Sequence, residues 1–418
     1  MRIAIVGAGV IGVTTAWELT LDGHQVDVFE RRNAAAEESS FANAGVVAPG
    51  YVTPWAAPGM AGKVLRSLLS KHGAVKLRWP LTGSDVKWMA RWRRACTLET
   101  YLRNRARMQR LAFYSRQRLH HIAAERELVY DTSQGYMVLL RGKAEARLVQ
   151  AGLDVLRAAG TRFREIDADE ARRIEPALNT ATDLAGAIHL PDDEVSNCRQ
   201  FVMLLKREAE LLGAQFHFGC DIAPLDRARP RSLTLAGGSP AIDYDAIVVC
   251  AGLGSAALLR PVGLSIPVAP VYGHSISAAV GEAELAPVSA VMDERFKVAI
   301  SRLGMRLRVA GGAELGGTPG EAHPEAVKTL FKVLHDWFPG AARMQTGVQV
   351  WKGARPMLPD GPPLLGASGV PGIWLNLGHG SSGWALSCGS ARVLADLISG
   401  QDPGIDLEGL GVDRLRED

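Results

Sequence analysis

Residues 3–30, IAIVGAGVIGVTTAWELTLDGHQVDVFE, leave little choice in how the start of this chain folds. Ile3 to Val6 are consecutive apolar residues, the pattern of a parallel strand covered on both faces. Gly7, Gly9 and Gly12 follow as G-x-G-x-x-G where the strand gives way to a helix. The first glycine allows a tight turn, the second lets a pyrophosphate approach the backbone, and the third lets helix and strand pack closely. Free N–H groups and the dipole at the helix N-terminus favour phosphate. Gly23 ends the helix, Val26 to Phe29 form a second strand, and Glu30 closes it 18 residues after Gly12. An acid there accepts hydrogen bonds from ribose hydroxyls and repels a 2′-phosphate. A glycine-rich turn alone would mean little, but here strand, helix and acid are in register. The unit specifies a dinucleotide and leaves NAD and FAD both open.

A chain of 418 residues is long enough for two domains with their own cores. A net charge of +3 and the lack of a long basic tract argue against a nucleic-acid partner. Cys96, Cys198, Cys220, Cys250 and Cys388 are dispersed without a C-x-x-C, a reduced, intracellular pattern and not a disulfide framework or metal site. The apolar start resembles a signal peptide only until Gly7 to Gly12 interrupt it, and no cleavage site follows. No run of about 18 apolar residues occurs, so no membrane span is expected.

Beyond Glu30 a polar link leads into FANAGVVAPGYVTPWAAPGM (41–60), a loop rich in Gly, Pro and aromatics that must approach a ligand or thread between domains. Residues 62–96 read as short helices with turns at Pro80 and Gly83. A long helix follows from about Leu98 to Glu127, with Leu102, Ala106, Leu111, Tyr114 and Leu119 at helical spacing. Strands are expected at 135–140 and 186–190 around a helix at 144–159, then helix 196–212 and strand 215–218. Ala246 to Cys250 repeats the strand-then-glycine arrangement and should join the sheet of the N-terminal strand. Antiparallel strands occupy 265–350, with a helix at 324–338, and strand 373–378 leads into a helix from 385 to 398.

Three further sites stand out. Gly378-His379-Gly380-Ser381-Ser382-Gly383-Trp384 lies between a strand and a helix, where small residues and a helix N-terminus suit a partly anionic group such as a reduced flavin ring. Arg355 precedes Pro356, which holds it extended, and a guanidinium binds a carboxylate through two parallel bonds. Taken alone it is one more arginine in an arginine-rich chain. Trp79, Trp88 and Trp92 lie among Lys87, Arg91, Arg93 and Arg94, a combination that fits a membrane headgroup region or, more in keeping with their spacing, a core or pocket lining. Isolated His72, His189 and His217 have no assigned role, and no metal-binding spacing occurs.

Long, unusual segments tie these features together: GAGVIGV near the start, SSFANAGVVAPGYVTPWAAPG at 39–59, LPDDE at 190–194, ARPMLPDGPP at 354–363 and LNLGHGSSGWALSCGS at 375–390. On them the chain resembles, end to end, the small subunit of bacterial FAD-dependent D-amino-acid dehydrogenases, within the D-amino-acid oxidase and glycine oxidase superfamily. The resemblance implies an α/β fold: a Rossmann-type FAD-binding domain assembled from segments 1–127, 196–264 and 350–418, with a 50–100 insertion near the active site. An interleaved α+β substrate domain, 128–195 and 265–349, would carry a large antiparallel sheet. FAD would lie against Val6, Gly7, Gly9, Val10, Ile11 and Gly12, with Glu30 and Arg31 at the ribose. Ser39, Ser40, Asn43, Ala44, Gly45 and Val46 would sit beside the flavin, and Ile222, Ala251 and Gly252 would complete the nucleotide side. Gly378, His379, Gly380, Ser381, Ser382 and Gly383 would face the pyrimidine end of the ring.

By the same resemblance Arg355 grips the substrate carboxylate, and Tyr51, Tyr272 and His274 are pocket candidates. The expected reaction takes a D-amino acid to an imino acid by hydride transfer from Cα to flavin, then to a 2-oxo acid and ammonia. Electrons would pass to a respiratory quinone or another non-oxygen acceptor, with contact to the inner face of the cytoplasmic membrane and partner subunits as further expectations. The family commonly reads Pro-Leu-Lys-Gly-Tyr-Ser where this chain has Pro270-Val271-Tyr272-Gly273-His274-Ser275, which leaves a cyclic D-imino acid such as D-proline or its hydroxylated form open as substrate. An O2-using oxidase, an NAD-dependent dehydrogenase and a flavin-bearing module without turnover are the rival readings.

Overall fold

The computed structural model describes residues 1–62, 64, 73–320, 322–345 and 347–416. The strand Arg2–Val6 stands inside a six-stranded sheet, and Ile3, Ala4 and Ile5 have no exposed surface. That explains the unbroken apolar run, since both faces of the strand are covered. The order across the sheet is 364–367, 373–377, 246–249, 2–6, 25–30, 215–218, and only 364–367 runs antiparallel to its neighbour. The chain leaves strand 2–6 toward 25–30 on one side and returns with 246–249 on the other. The order therefore reverses beside strand 2–6, which is where open α/β sheets bind ligands at the carboxyl ends of their strands.

Helices Val10–Leu21, Leu98–Glu125 and Gly383–Ile398 pack with this sheet into one apolar core that includes Trp17, Leu111, Leu119, Ile122 and Leu394. The long helix is as expected in extent but not in its first turns. Leu102 and the neighbouring Ala106 are exposed, while Asn104 and Arg107 are buried. Asn104 donates to the carbonyl of Asp360, and Arg107 pairs with Glu408, so polar groups with fixed partners displace the apolar stripe there.

The second sheet has ten strands. Its main path runs 349–357, 269–279, 306–316, 298–303, 290–293, 132–140, 186–196, 46–47, with 75–78 and 164–166 as branches. Most pairs are antiparallel; 290–293 with 132–140 and 75–78 with 306–316 are parallel. One face packs on helix Pro324–Trp337 through Val291, Ile300, Val309, Leu334 and Trp337. The other face looks toward the first sheet. Strand 349–357 belongs to this large sheet although the sequence division groups 350–418 with the nucleotide-binding segments.

The segment 62–96 corrects the sequence reading. Residues 63 and 65–72, including His72, lie outside the described residues. Val75–Arg78 is a strand and not a helix, because Ala313–Gly316 offers it a free edge to pair with. Gly83 opens a helix, Gly83–Ala95, instead of marking a turn: Thr82 caps it, accepting from the backbone of Asp85, whose side chain accepts from Thr82 in return. Trp88 and Trp92 turn inward against Trp55, and Trp88 donates to the carbonyl of Met357. The core reading holds for those two, while Trp79 is 83% exposed.

Candidate active site

A cavity of about 610 Å³ opens at the reversal point between the two sheets. Its walls come from segments far apart in sequence: 6–11, 29–31, 37–52, 220–224, 250–258, strands of the large sheet, and 376–385. Every nucleotide-side residue expected from the sequence lines it except Gly12. Gly12 works from behind: a Cβ there would lie 1.8 Å from the carbonyl oxygen of Gly7, so only glycine lets the helix start this close to the strand. Gly7 itself has φ +106, a left-handed turn conformation.

Glu30 is already engaged. One carboxylate oxygen accepts from the backbone N–H of Ala8 at 2.7 Å and the other from that of Arg32 at 2.8 Å, which holds the acid at the end of its strand. Gly9 provides no side-chain cap for helix 10–21; the hydroxyl of Ser40 accepts from the N–H of Val10 at 3.0 Å. The loop after Glu30 thus folds back over the helix N-terminus. Asn43 steadies its turn by accepting from the N–H of Gly45, and Val46–Val47 then pairs with Val195 and Glu194 of the large sheet. Across the cavity, His379 precedes the helical turn 380–382. Its Nε2 bonds the hydroxyl of Ser390 at 2.9 Å, and that hydroxyl donates onward to Leu386, so Nε2 carries the proton.

Strand alternation decides what the large sheet presents. Arg355 and Gly353 share a face with Gly273 and Ser275, and the Arg355 guanidinium lies across Gly273, where a Cβ would come within 2.3 Å of it. One Arg355 nitrogen donates to the carbonyl of Gly312 at 2.9 Å. Burial lowers its pKa to about 10, and among the described residues no acid pairs with it. A cation in such a place calls for an anionic partner from outside the chain.

Two pocket candidates are corrected by the same alternation. Tyr272 does not line the cavity; it faces the opposite side of the sheet, under Lys352 at 4.5 Å. His274 borders the cavity, but its imidazole also points to the far side, with Nε2 accepting from the N–H of His323 and 3.8 Å from Glu314. The departures at 272 and 274 therefore give no ground for a cyclic substrate. Tyr51 does line the cavity, with its hydroxyl donating to Glu294 at 2.8 Å; burial and then Glu294 raise its pKa well above the usual tyrosine range. Residues missing from the sequence reading include Tyr136, Met292, Ala299, Ala310 and Trp351, which reach the cavity only through strand register. Arg308 is another: it donates to Ser277 and to the carbonyl of Asn43, anchoring the loop to the sheet.

Burial, the largest cause for each, pushes His274 down to about 4 and His379 down to about 3. Both are neutral in the folded protein, whereas an unfolded imidazole takes up a proton near pH 6.5. Their contribution to stability is complete above about pH 6.5 and is lost as pH falls toward the folded values, by about 1.4 kcal/mol per unit for each. Urea unfolding at pH 7 and pH 5 should show this loss, and His379→Gln should flatten the slope. An unchanged slope would mean His379 is not neutral in the fold.

Comparison with known proteins gives a consistent result. The model of the DAO family, FAD dependent oxidoreductase, matches residues 2–397. The chain is 43% identical over 416 residues to a D-amino acid dehydrogenase of Cereibacter sphaeroides (strain ATCC 17029), covering 99% of this chain and 95% of that protein. It is 42% identical over 418 residues to a D-amino acid dehydrogenase of Agrobacterium fabrum (strain C58), covering 99% of each. In fold it is similar to glycine oxidase from Geobacillus kaustophilus, with a TM-score of 0.77 at 22% identity and 98% coverage of each chain.

Proposed function

This chain belongs to the DAO family of FAD-dependent oxidoreductases, and on that footing we propose that it is a D-amino-acid dehydrogenase holding its substrate by the carboxylate on Arg355. The observation that carries the reading is the buried Arg355 guanidinium, without an acid partner among the described residues, in the wall of the cofactor cavity. The residues present suit FAD. A Cβ at Gly9 would already contact the Ser40 hydroxyl at 3.5 Å, so the glycine keeps a smooth cradle at the helix N-terminus for the pyrophosphate. From Glu30, Asp221 and Ile222 the cavity continues past 43–46 to 378–383, an elongated site for an elongated cofactor. The two sheets support the division into an FAD-binding part (1–127, 196–264, 350–418) and a substrate-binding part (128–195, 265–349), except that strands 46–47, 75–78 and 349–357 join the large sheet.

Bound there, FAD supplies the two-electron acceptor for the hydride that leaves the substrate Cα. Arg355 orients the substrate, and Gly312 and Gly273 hold the guanidinium in one direction. Tyr51 is bonded to Glu294, Lys297 is paired with the same acid, and the His274 ring is on the far face, so none of these three serves as a base. The substrate amine accordingly binds neutral, and the imino acid released to water becomes a 2-oxo acid and ammonia.

Anaerobic mixing with D- and L-amino acids tests the reading: the visible flavin band should bleach with D-forms and not with L-forms. No bleaching by any D-amino acid would leave a flavin-bearing module without turnover. Electrons are then passed to a quinone or another non-oxygen acceptor, and turnover in air should yield little peroxide. The exposed Trp79, Lys87, Arg91, Arg93 and Arg94 support a peripheral membrane contact. Co-sedimentation with anionic vesicles that is salt-sensitive would agree, and its absence would discard that contact. Among the described residues no helix is long and apolar enough to cross a membrane.

A further inference from the structure

We propose that a row of the large sheet, Met292–Ala299–Ala310, is a side-chain subsite that admits large apolar side chains; the inference rests on the D-amino-acid reading above. Met292 is directly opposite Ala299, and Ala299 is directly opposite Ala310. The row continues to Ser275 and then Trp351. Residues directly opposite on neighbouring strands project to one face, so the whole row looks toward the cavity, which Met292, Ala299, Ala310 and Trp351 line. Neighbouring strands are about 4.8 Å apart, so Met292 and Trp351 stand about 19 Å from each other. Only two methyl groups and the buried Ser275 lie between them.

The trough is closed on its other sides. The adjacent row is Ser301, Arg308 and Ser277; Ser301 donates to the carbonyl of Ala44 at 2.7 Å and Arg308 to that of Asn43 at 2.9 Å, so the 43–44 backbone covers it. In the other direction lies Gly273, under the Arg355 guanidinium and two residues from Ser275. Two residues along a strand and one strand across put the guanidinium about 8 Å from Ala310, roughly the reach from an amino-acid carboxylate to the end of a long side chain. Tyr51 and Tyr136, their rings 6.0 Å apart and edge-on, close the Met292 end.

The chemistry of the lining follows from its pairings. The Tyr51 hydroxyl is spent on Glu294, and so is the Lys297 ammonium, which leaves ring faces, a thioether, methyl groups and the single hydroxyl of Ser275 toward the trough. An apolar chain gains by entering, whereas a charged one is desolvated without a partner. Ala299 and Ala310 are where volume is left open, which makes them the residues that set the size limit.

The test measures kcat/KM with a dye acceptor for D-alanine, D-phenylalanine, D-methionine and D-glutamate in the FAD-loaded wild type, Ala310→Leu and Ala299→Val. In the wild type D-methionine should exceed the similarly sized D-glutamate by about 100-fold or more. In Ala310→Leu the ratio for D-phenylalanine over D-alanine should fall by at least about 30-fold, and in Ala299→Val by a smaller factor in the same direction. D-glutamate turned over as well as D-methionine, or a ratio unmoved in Ala310→Leu, would overturn the subsite. Loss of flavin colour from both variants would put the cofactor in the trough, which also overturns it. A wild type reduced by no D-amino acid is a separate pattern, in which the function reading itself fails and takes this inference with it.

Discussion

Replacing Arg355 with methionine should give a protein that is still yellow but whose KM for a D-amino acid is raised by at least about 100-fold. A bidentate guanidinium–carboxylate pair consists of two charge-assisted bonds of about 1.5–3 kcal/mol each, and about 1.4 kcal/mol is a factor of ten. Methionine keeps much of the bulk against Gly273 and removes the charge, so the flavin site should be undisturbed. Loss confined to KM would mean that the interaction is the same in the bound and reacting states; loss in kcat as well would mean that it also aligns Cα–H. Arg355→Lys should recover only part of the effect, because an ammonium lacks the planar fork. Gly273→Ala should mimic the loss with the arginine still present, since its methyl would lie where the guanidinium now rests, 2.3 Å from the nearest nitrogen. A KM within about threefold of wild type in Arg355→Met, flavin retained, would place the carboxylate elsewhere.

Gly12→Ala should purify without flavin. The new methyl would stand 1.8 Å from the carbonyl oxygen of Gly7 and 2.9 Å from its carbon, and both belong to backbone that cannot swing aside. Relief requires the helix 10–21 to back away from strand 2–6, which moves the N–H groups off the pyrophosphate site and opens a core containing Val13 and Trp17. Overpacking of this kind costs about 1–3 kcal/mol where side chains can adjust, and here the opposing atoms are main chain. FAD affinity should fall by more than about 100-fold, with a lower unfolding midpoint. Gly23→Ala is the control: Gly23 has φ +83 but nothing within 4 Å of an added Cβ. It should lose only about 1–2 kcal/mol of stability and keep its flavin. Stoichiometric FAD in purified Gly12→Ala would show that the close helix–strand approach is not required.

Much of this arrangement was legible in the sequence because it depends on local rules. An apolar strand, a glycine turn and an acid at the next strand's end fold as one unit wherever they occur, and residues 3–30 do so here. The strand-then-glycine pattern at 246–252 and the loop at 378–383 were read by the same means, and both line the cavity. Long distinctive segments added the cofactor and the role expected of Arg355, which no spacing could have supplied. The reading failed where partners were remote: Leu102 is exposed because Asn104 and Arg107 find partners some 250 to 300 residues away, and 75–78 is a strand because 313–316 has an edge to offer.

The sequence by itself determined a dinucleotide site, its place at a strand-to-helix turn, and the family to which the chain belongs, since each rests on neighbours in the chain. Only the tertiary structure decided which face of a strand meets the substrate. The period of a strand is two, so Arg355 and Gly273 look into the cavity while Tyr272 and His274 look away, though Arg355, Tyr272 and His274 stood together as candidates. Met292, Ala299 and Ala310 carry no chemical signal of their own, and only register across three strands places them side by side.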